Sequence, residues 1–136
     1  MSWTYNSEVL SEIPDGYYGF VYRIVNLESN KQYIGKKLFW SQKQKQVNGK
    51  KKKYKAESDW KNYYGSNDVL CADVSTLGKD KFTRQILTLC KTKGECSYYE
   101  AKYQFEEDVL IHPNLFYNSW IMCKIHRKHL KLSDAG

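Results

Sequence analysis

Residues 22–37, YRIVNLESNKQYIGKK, contain two short runs typical of β-strands, joined by a polar turn and followed by two lysines. The first run completes GFVYRIVN, residues 19–26, which is rich in β-branched and aromatic side chains. LESN supplies turn-forming residues, and KQYIGK, residues 31–36, has the composition of a returning strand. The stretch therefore predicts an antiparallel β-hairpin.

Two tyrosines in this hairpin raise the question of a functional site. If the numbers of paired residues sum to an odd value, as when Tyr22 lies opposite Tyr33 or Gly35, both tyrosines point to one face, because side chains alternate along a strand. An even sum would place them on opposite faces. Gly35 is expected to end the strand and to leave room for a backbone or a phosphate group.

The size and charge of the chain favour one domain with a polyanionic partner. A length of 136 residues is enough to bury a hydrophobic core, and the formal net charge is +7. Residues 36–55 contain nine lysines, at positions 36, 37, 43, 45, 50, 51, 52, 53 and 55, and no acidic residue. Such a run is also typical of a solvated loop or a localisation signal. The interleaved Phe39, Trp40 and Tyr54 favour a surface that binds nucleic acid.

The cysteines and the N-terminus bear on the cellular compartment. The four cysteines show no CxxC pairing, and the first residues lack the apolar run of a secretory signal. We therefore expect free thiols, a cytoplasmic location and no contact with a membrane, because no apolar run approaches about 20 residues. Cys123, His126 and His129 recur every third residue, but this stagger without a fourth ligand does not favour zinc.

Beyond the hairpin, helical and extended patterns alternate. SDWKNYYGSND offers capping residues, and DVLCADVSTLG is typical of a helix closed by Gly78. KFTRQILTLC, residues 81–90, predicts a third strand, and GECSYYEAKYQFEEDVL predicts a helix that Pro113 ends. This order predicts an α+β fold with a small three-stranded antiparallel sheet flanked by helices.

A single domain over residues 1–136 accommodates these elements. Within it, residues 1–18 are predicted to form an N-terminal arm and residues 36–57 a basic loop insertion. Residues 117–136 are predicted to form a C-terminal helical extension. The long basic segment is expected to be functional or mobile, as loops of this length usually are.

The order of these motifs resembles the GIY-YIG nuclease family. FVY, residues 20–22, stands where the family has GIY, and YIG, residues 33–35, matches the second half letter for letter. A basic stretch, the GKDKF entry to a strand, a helix carrying glutamate and the pair Tyr117 and Asn118 follow, so the resemblance spans residues 19–118. YIGKK and SDWKNYYGS look closest to the small stand-alone or intron-homing nucleases of phages.

The resemblance implies a metal-dependent DNA endonuclease. The family's metal ligand is a glutamate in the helix after the third strand, which corresponds to Glu100, and the cofactor would be Mg²⁺ or Mn²⁺. One well-placed glutamate can suffice, because magnesium is usually bound by one or two carboxylates plus water and phosphate oxygens. Glu106, Glu107 and Asp108, further along the same helix, are rival candidates.

The two tyrosines would manage the attacking water. Tyr22 resembles the family tyrosine that contacts this water, and Tyr33 would orient water or phosphate from the same face. A phenol with a pKa near ~10 is a poor base unless a cation stabilises its anion, so positioning is the expected role. The alternative is that both tyrosines only pack on a sheet face.

The chain departs from the family in two places. Phe20 replaces the first glycine of GIY, and the arginine that usually follows YIG by about one helical segment is absent. Lys36 is the preferred substitute and Lys43 the second, although lysine lacks the bidentate geometry of arginine. We expect one of them beside the two tyrosines. Further DNA contacts are predicted for Lys37, Trp40, Lys45, Lys50, Lys51, Lys52, Lys53 and Tyr64.

The expected partner is double-stranded DNA, in the cytoplasm of a host cell if the protein is phage-encoded. One site cuts one strand, so cutting both requires two encounters or a homodimer. The alternative function is a non-catalytic nucleic-acid-binding module derived from the same fold, in which the missing arginine signals lost activity.

Overall fold

A computed structural model describes residues 2–124 and 127. The strands are β1 (Trp3–Tyr5), β2 (Glu8–Val9), β3 (Gly19–Asn26), β4 (Gln32–Leu38), β5 (Trp40–Val47), β6 (Lys50–Glu57) and β7 (Phe82–Cys90). The helices are α1 (Asp68–Leu77) and α2 (Lys93–Glu106), with 3₁₀ turns at Trp60–Asn62 and Lys79–Lys81. The described residues therefore form an α+β fold, as predicted.

The main sheet has five strands, in the order β2-β1-β7-β3-β4, so the prediction of three strands is wrong. The additional strands come from residues 1–18, which do not form the predicted simple arm. β1 pairs parallel with β7, and the buried indole Nε1 of Trp3 donates to the carbonyl of Trp60 at 2.6 Å. A strand of three residues is too short to show alternation in the sequence, which explains the error.

β3 and β4 form the predicted hairpin. Tyr22 lies opposite Gly35 and Ile24 lies opposite Tyr33, which is the odd-sum register. Tyr22 and Tyr33 therefore share one face, and their ring centroids are 6.1 Å apart. β4 continues to Leu38, so Gly35 does not end the strand as expected.

Residues 36–57 do not form the predicted loop. After the end of β4, β5 and β6 pair as a separate two-stranded sheet, from Trp40 opposite Glu57 to Val47 opposite Lys50. Their turn is Asn48-Gly49, with φ angles of 51° and 75°. Asn-Gly favours two-residue hairpin turns, because both positions require a left-handed backbone. Lysine and glutamine alternate with each other along β5, so no apolar period marks this hairpin in the sequence.

Two hydrophobic clusters cover the two faces of the main sheet. Phe20, Tyr22 and Ile24 of β3 pack on the α1 side. Val21 of β3 and Ile34 of β4 pack on the α2 side. Because successive residues of β3 enter different clusters, this strand is buried on both faces.

The helices begin and end close to the predicted positions. α1 is capped by Asn67, whose Oδ1 accepts from the N–H of Leu70 at 3.0 Å, and it is closed by Gly78. α2 ends at Glu106, earlier than the stop expected at Pro113. Among the described residues, no helix has the length and apolar character needed to span a membrane.

The segment after α2 lies along the outer edge of β4. The N–H of Tyr117 donates to the carbonyl of Gln32 at 2.7 Å. The Asn118 side chain accepts from the N–H of Ile34 at 3.1 Å and donates to its carbonyl at 2.8 Å. Residues 117–124 have no regular secondary structure, so the predicted C-terminal helix is wrong there. The remainder of that prediction, apart from residue 127, lies outside the described residues.

Candidate active site

A cavity of about 440 Å³ lies at the outer edge of β4. Its walls come from β4, the loop before α1, helix α2 and the segment that follows Tyr117. The lining side chains are Tyr33, Lys36, Ser66, Asn67, Glu100, Gln104, Asn118, Ser119, Trp120 and Met122. Three predicted residues, Tyr33 and Lys36 of β4 and Glu100 of α2, therefore meet in one place.

The edge position of β4 explains how both of its faces reach one cavity. Tyr33 belongs to the face that carries Tyr22, whereas Lys36 belongs to the face covered by α2. Lys36 was expected beside the two tyrosines. It lies on the opposite face of β4 from them, and it lines the same cavity as Tyr33.

Glu100 is a largely buried carboxylate with a cationic neighbour. Its side chain is 16% exposed, and its Oε1 lies 4.0 Å from the Nζ of Lys36. Burial raises the pKa of Glu100 above its ordinary value, while the ammonium and the backbone N–H of Lys36 oppose this rise. Lys36 also donates to the Oγ of Ser97 on α2 at 2.6 Å. Desolvated carboxylates with a specific charged partner are typical of functional sites.

Tyr33 brings a hydroxyl group to the cavity. Its oxygen lies 3.2 Å from the Oγ of Ser66, and either group can be the donor. Burial raises the pKa of Tyr33, the hydrogen bond with Ser66 opposes the rise, and the charge of Glu100 adds to it. The phenol is therefore neutral near pH 7 and can donate or accept a hydrogen bond.

Tyr22 lies behind Tyr33 rather than in the cavity. Its side chain is fully buried, and within the described residues no hydrogen bond of normal geometry reaches its hydroxyl. Burial raises its pKa well above the ordinary value, and Tyr63, Tyr33 and Glu100 act in the same direction. A Cβ atom at position 35 would lie 2.5 Å from the Tyr22 hydroxyl oxygen. Gly35 therefore makes room for this phenol and not for a phosphate.

Lys36 is the one cation among the described residues that line the cavity, and none of the described lining residues is an arginine. Arg23 forms a bidentate ion pair with Glu107. Arg84 is 5% exposed and donates to two backbone carbonyls of the segment before α1. Both arginines thus have structural partners elsewhere, and Lys36 is the side chain best placed to substitute for the missing arginine.

Lys43 is not brought together with Tyr33 and Glu100. It lies on β5 opposite Tyr54, with its side chain exposed, and it is not among the cavity-lining residues. Distance along the chain is a poor guide here because the chain leaves the main sheet after Leu38. The other predicted hairpin lysines are also exposed, namely Lys45, Lys50, Lys51, Lys52 and Lys53.

The remaining predicted DNA contacts lie near the base of this hairpin or in the core. Lys37 forms an ion pair with Asp59 at 2.6 Å. Trp40 is half-buried at the start of β5. Tyr64 is 9% exposed and stacks on the guanidinium of Arg84, 4.2 Å from its ring centroid. Tyr64 is therefore mainly a core residue, whereas Trp40 keeps an accessible surface.

The rival carboxylates lie outside the cavity. Glu107 is bound by Arg23, and Glu106 and Asp108 are exposed at the end of α2. Of the four acidic residues considered from the sequence, Glu100 is the one that lines the cavity.

Several cavity residues were not predicted. Gln104 lies one helical turn after Glu100, so projecting the i, i+4 face of α2 from the glutamate would have identified it. Its Nε2 donates to the carbonyl of Ile34 at 2.9 Å, while its buried Oε1 has no partner among the described residues. Ser66 and Trp120 come from irregular segments, where no periodicity indicates the direction of a side chain.

The cavity can supply the oxygen ligands that hard divalent cations prefer. Glu100 offers a carboxylate, Tyr33 a hydroxyl, and the unpartnered amide oxygen of Gln104 lies on the same helix. Mg²⁺ usually keeps several waters and binds few protein ligands, so this donor set fits such an ion.

A zinc site was not favoured by the sequence, and only part of its possible ligand set lies in the described part of the chain. There, no group of three or more His, Cys, Asp or Glu side chains is arranged to hold a metal ion. Cys123 is exposed, and His126 and His129 lie outside the described residues.

A larger depression of about 650 Å³ lies between residues 12–18 and the base of the second hairpin. Its charged side chains, which include Glu12, Asp15, Lys55 and Lys61, are exposed to solvent. This depression has no desolvated carboxylate like Glu100. The smaller cavity at the edge of β4 therefore remains the candidate site.

Comparison with known proteins identifies the family. A family model described as "Putative endonuclease segE, GIY-YIG domain" matches residues 3–121. Searches of curated proteins and of solved structures gave no match. The matched range contains the tyrosine hairpin, Glu100 and Asn118, all of which contribute to or support the cavity. The chain therefore belongs to the GIY-YIG family, whose members are endonucleases.

Proposed function

We propose that the protein is a metal-dependent endonuclease that hydrolyses phosphodiester bonds of double-stranded DNA. The observation that carries this proposal is the convergence of Tyr33, Lys36 and Glu100 on one open cavity. A hydroxyl, an ammonium and a desolvated carboxylate are the groups that this reaction requires from the protein.

Glu100 would hold Mg²⁺ or Mn²⁺ together with neighbouring cavity oxygens. When bound, such an ion polarises the phosphate and neutralises charge on the leaving oxygen. Because burial raises the pKa of Glu100, protons compete with the cation over a wider pH range than at an exposed glutamate. Cation affinity is therefore expected to increase as pH rises through this pKa.

Hydrolysis joins a water oxygen to phosphorus and breaks the bond to the leaving oxygen; the attacking water releases a proton to solvent, and the leaving oxygen takes one up from solvent. Tyr33 orients the attacking water through its neutral hydroxyl, since its raised pKa disfavours the phenolate. Lys36 places its ammonium beside the negative charge that develops on the phosphate. Tyr22 acts indirectly, because its buried ring supports that of Tyr33.

The charge distribution supports DNA as the substrate. The net charge of +7 favours a polyanion, and exposed lysines of β5 and β6, including Lys43, would contact its phosphates. One candidate active site in the described part of the chain would cut one strand, so cutting both strands requires two encounters or a homodimer.

A non-catalytic nucleic-acid-binding module is the second candidate function. One observation favours it, namely that the described cavity lining contains lysine and no arginine. Lys36 would then hold a phosphate without the bidentate contact that a transition state could exploit.

Nicking of supercoiled plasmid in Mg²⁺ or Mn²⁺ tests the proposal. We expect Glu100→Gln to reduce the nicking rate at least about 100-fold, with smaller losses for Tyr33→Phe and Lys36→Met. Glu106→Gln, which changes an exposed carboxylate of the same helix, is the matched control and should retain activity. Nicking that survives Glu100→Gln would contradict the site. Wild type that binds plasmid but never nicks it would favour the binding module.

A further inference from the structure

The hairpin of β5 and β6 has no core of its own. Each strand has eight residues, most of their side chains are exposed, and none is buried. Seven lysines lie within it, at positions 43, 45, 50, 51, 52, 53 and 55, and residues 41–56 include no acidic side chain. Isolated two-stranded hairpins are at best marginally stable in water.

Cross-strand pairing places like charges together. Lys45 lies directly opposite Lys52, which destabilises the free hairpin because both ammonium groups are on one face. A bound polyanion would attract both ammonium groups and so offset their mutual repulsion. The hairpin is therefore built for a charged partner rather than for its own stability.

The two faces of the hairpin differ in chemistry. Gln42, Gln44 and Gln46 alternate along β5 and share one face. Opposite them on β6 lie Lys55, Lys53 and Lys51, respectively. The other face carries Lys43, Lys45, Lys50, Lys52 and Tyr54. The glutamine face thus offers amide acceptors as well as amide and lysine donors. The other face has lysines but no glutamine.

We propose that this hairpin enters the major groove of B-form DNA with its glutamine face toward the base edges. A two-stranded ribbon fits the major groove, which is about 12 Å wide, and eight residues span roughly 26 Å. A glutamine amide can donate and accept, which matches the N6 and N7 atoms of adenine, and lysine can donate to O6 and N7 of guanine. The lysines of the other face remain available for the phosphates that flank the groove.

This inference rests on the proposed DNA substrate and adds to it a surface that reads sequence. The narrow major groove of double-stranded RNA excludes side chains, so the hairpin should discriminate against RNA duplexes. A ribbon that only neutralised phosphates would require lysines but no row of glutamines.

Equilibrium binding to chemically altered duplexes tests the proposal. Fluorescence anisotropy with EDTA present, using Glu100→Gln protein, separates binding from cleavage. The probes are a 20-base-pair DNA duplex, the same duplex with adenine N7 replaced by carbon, and the corresponding RNA duplex. We expect the unmodified DNA to bind about 10-fold more tightly than the N7-substituted DNA, because two-point contacts lose one acceptor.

Two matched hairpin variants assign the faces. Gln42→Val, Gln44→Val and Gln46→Val together keep strand propensity and should abolish the preference for N7. Lys43→Gln, Lys45→Gln and Lys52→Gln together should weaken both DNA duplexes equally and lower the slope of log K against log salt by about 3. Thermal unfolding should show an unchanged main transition in both variants.

Equal binding of the two DNA duplexes by the parent protein would overturn the proposal, and so would RNA binding as tight as DNA binding. An N7 preference that the glutamine variant retains would overturn the assignment of the face. These outcomes differ from failure of the proposed function, in which wild type binds DNA in the major groove but does not nick plasmid.

Discussion

Gly35 is the residue on which the position of Tyr22 depends. Its hydrogen atom faces the Tyr22 hydroxyl, where a methyl group would lie 2.5 Å from that oxygen and 2.9 Å from the Tyr33 ring. We expect Gly35→Ala to destabilise the fold by about 1–3 kcal/mol through overpacking and to reduce nicking by displacing both rings. Urea unfolding and the plasmid assay measure the two effects.

A double-mutant cycle isolates this contact. Removing the hydroxyl with Tyr22→Phe relieves the shortest clash, so Gly35→Ala should cost less free energy in that background. Equal costs in both backgrounds would show that the added methyl group acts elsewhere.

Glu100 is expected to oppose folding at neutral pH in the metal-free protein. Its pKa is raised by burial, so the folded state favours the protonated form, and the resulting stabilisation is lost as pH rises through the raised pKa. Glu100→Gln should therefore raise the melting temperature at pH 7. The difference in melting temperature should vanish below the ordinary glutamate pKa of 4.5, where protonated Glu100 and the glutamine that replaces it are both neutral.

Adding a divalent cation should make wild type melt at a higher temperature than Glu100→Gln. A divalent cation at ten times its Kd adds about 1.4 kcal/mol to the stability of wild type and nothing to Glu100→Gln. Thermal scans with and without Mg²⁺ at several pH values provide the measurement. A metal-induced shift of equal size in both proteins would place the cation elsewhere.

At the level of elements, the outer edge of β4 is bonded by backbone groups at Gln32 and by the Asn118 side chain at Ile34. Asn118 is 7% exposed and bonds both backbone groups of Ile34. We expect Asn118→Ala to cost about 1–3 kcal/mol because a buried N–H loses its acceptor. Urea unfolding should show this loss, whereas Asn114→Ala, an exposed neighbour, should change stability by less than about 0.5 kcal/mol. Equal effects would mean that Asn118 does not secure the edge.

The helices and strands differ in how clearly the sequence predicts them. β3, β4, β7 and both helices were predictable, because their apolar spacing, caps and turn residues act locally. β1 and β2 were missed because strands of three and two residues carry too little pattern. The hairpin of β5 and β6 was missed because its side chains are polar on both faces, although Asn48-Gly49 was a usable turn signal.

For the whole molecule, a single candidate active site among the described residues predicts the order of products. Nicked circles should accumulate before linear plasmid, since the second strand requires another encounter or a second protomer. Gel analysis over time measures this order, and a rate of conversion of nicked circles to linear plasmid that rises with the square of protein concentration would indicate a dimer. Linear product that appears first, at the lowest protein concentration, would contradict independent single-strand cuts.

The candidate site divides into parts that the sequence indicated and parts that only folding revealed. Tyr33, Lys36 and Glu100 were named from the sequence, and all three line the cavity. Lys43 was the second candidate for the missing arginine, but β5 carries it onto a separate sheet. Trp120 and Ser66 join the site through irregular segments that pack against β4 and carry no local signal.

The sequence alone determined the α+β class, the concentration of positive charge and the presence of the β3–β4 hairpin, but not its register, because strand composition, capping and charge are local properties. Tertiary structure alone decided that Tyr22 is buried behind Tyr33 and that β4 is the edge strand. It also decided that Lys36 meets Glu100 on the face of β4 opposite to the tyrosines. These outcomes depend on which distant segments compete for the same space, and burial, edge position and contact across a strand are properties of the packed chain.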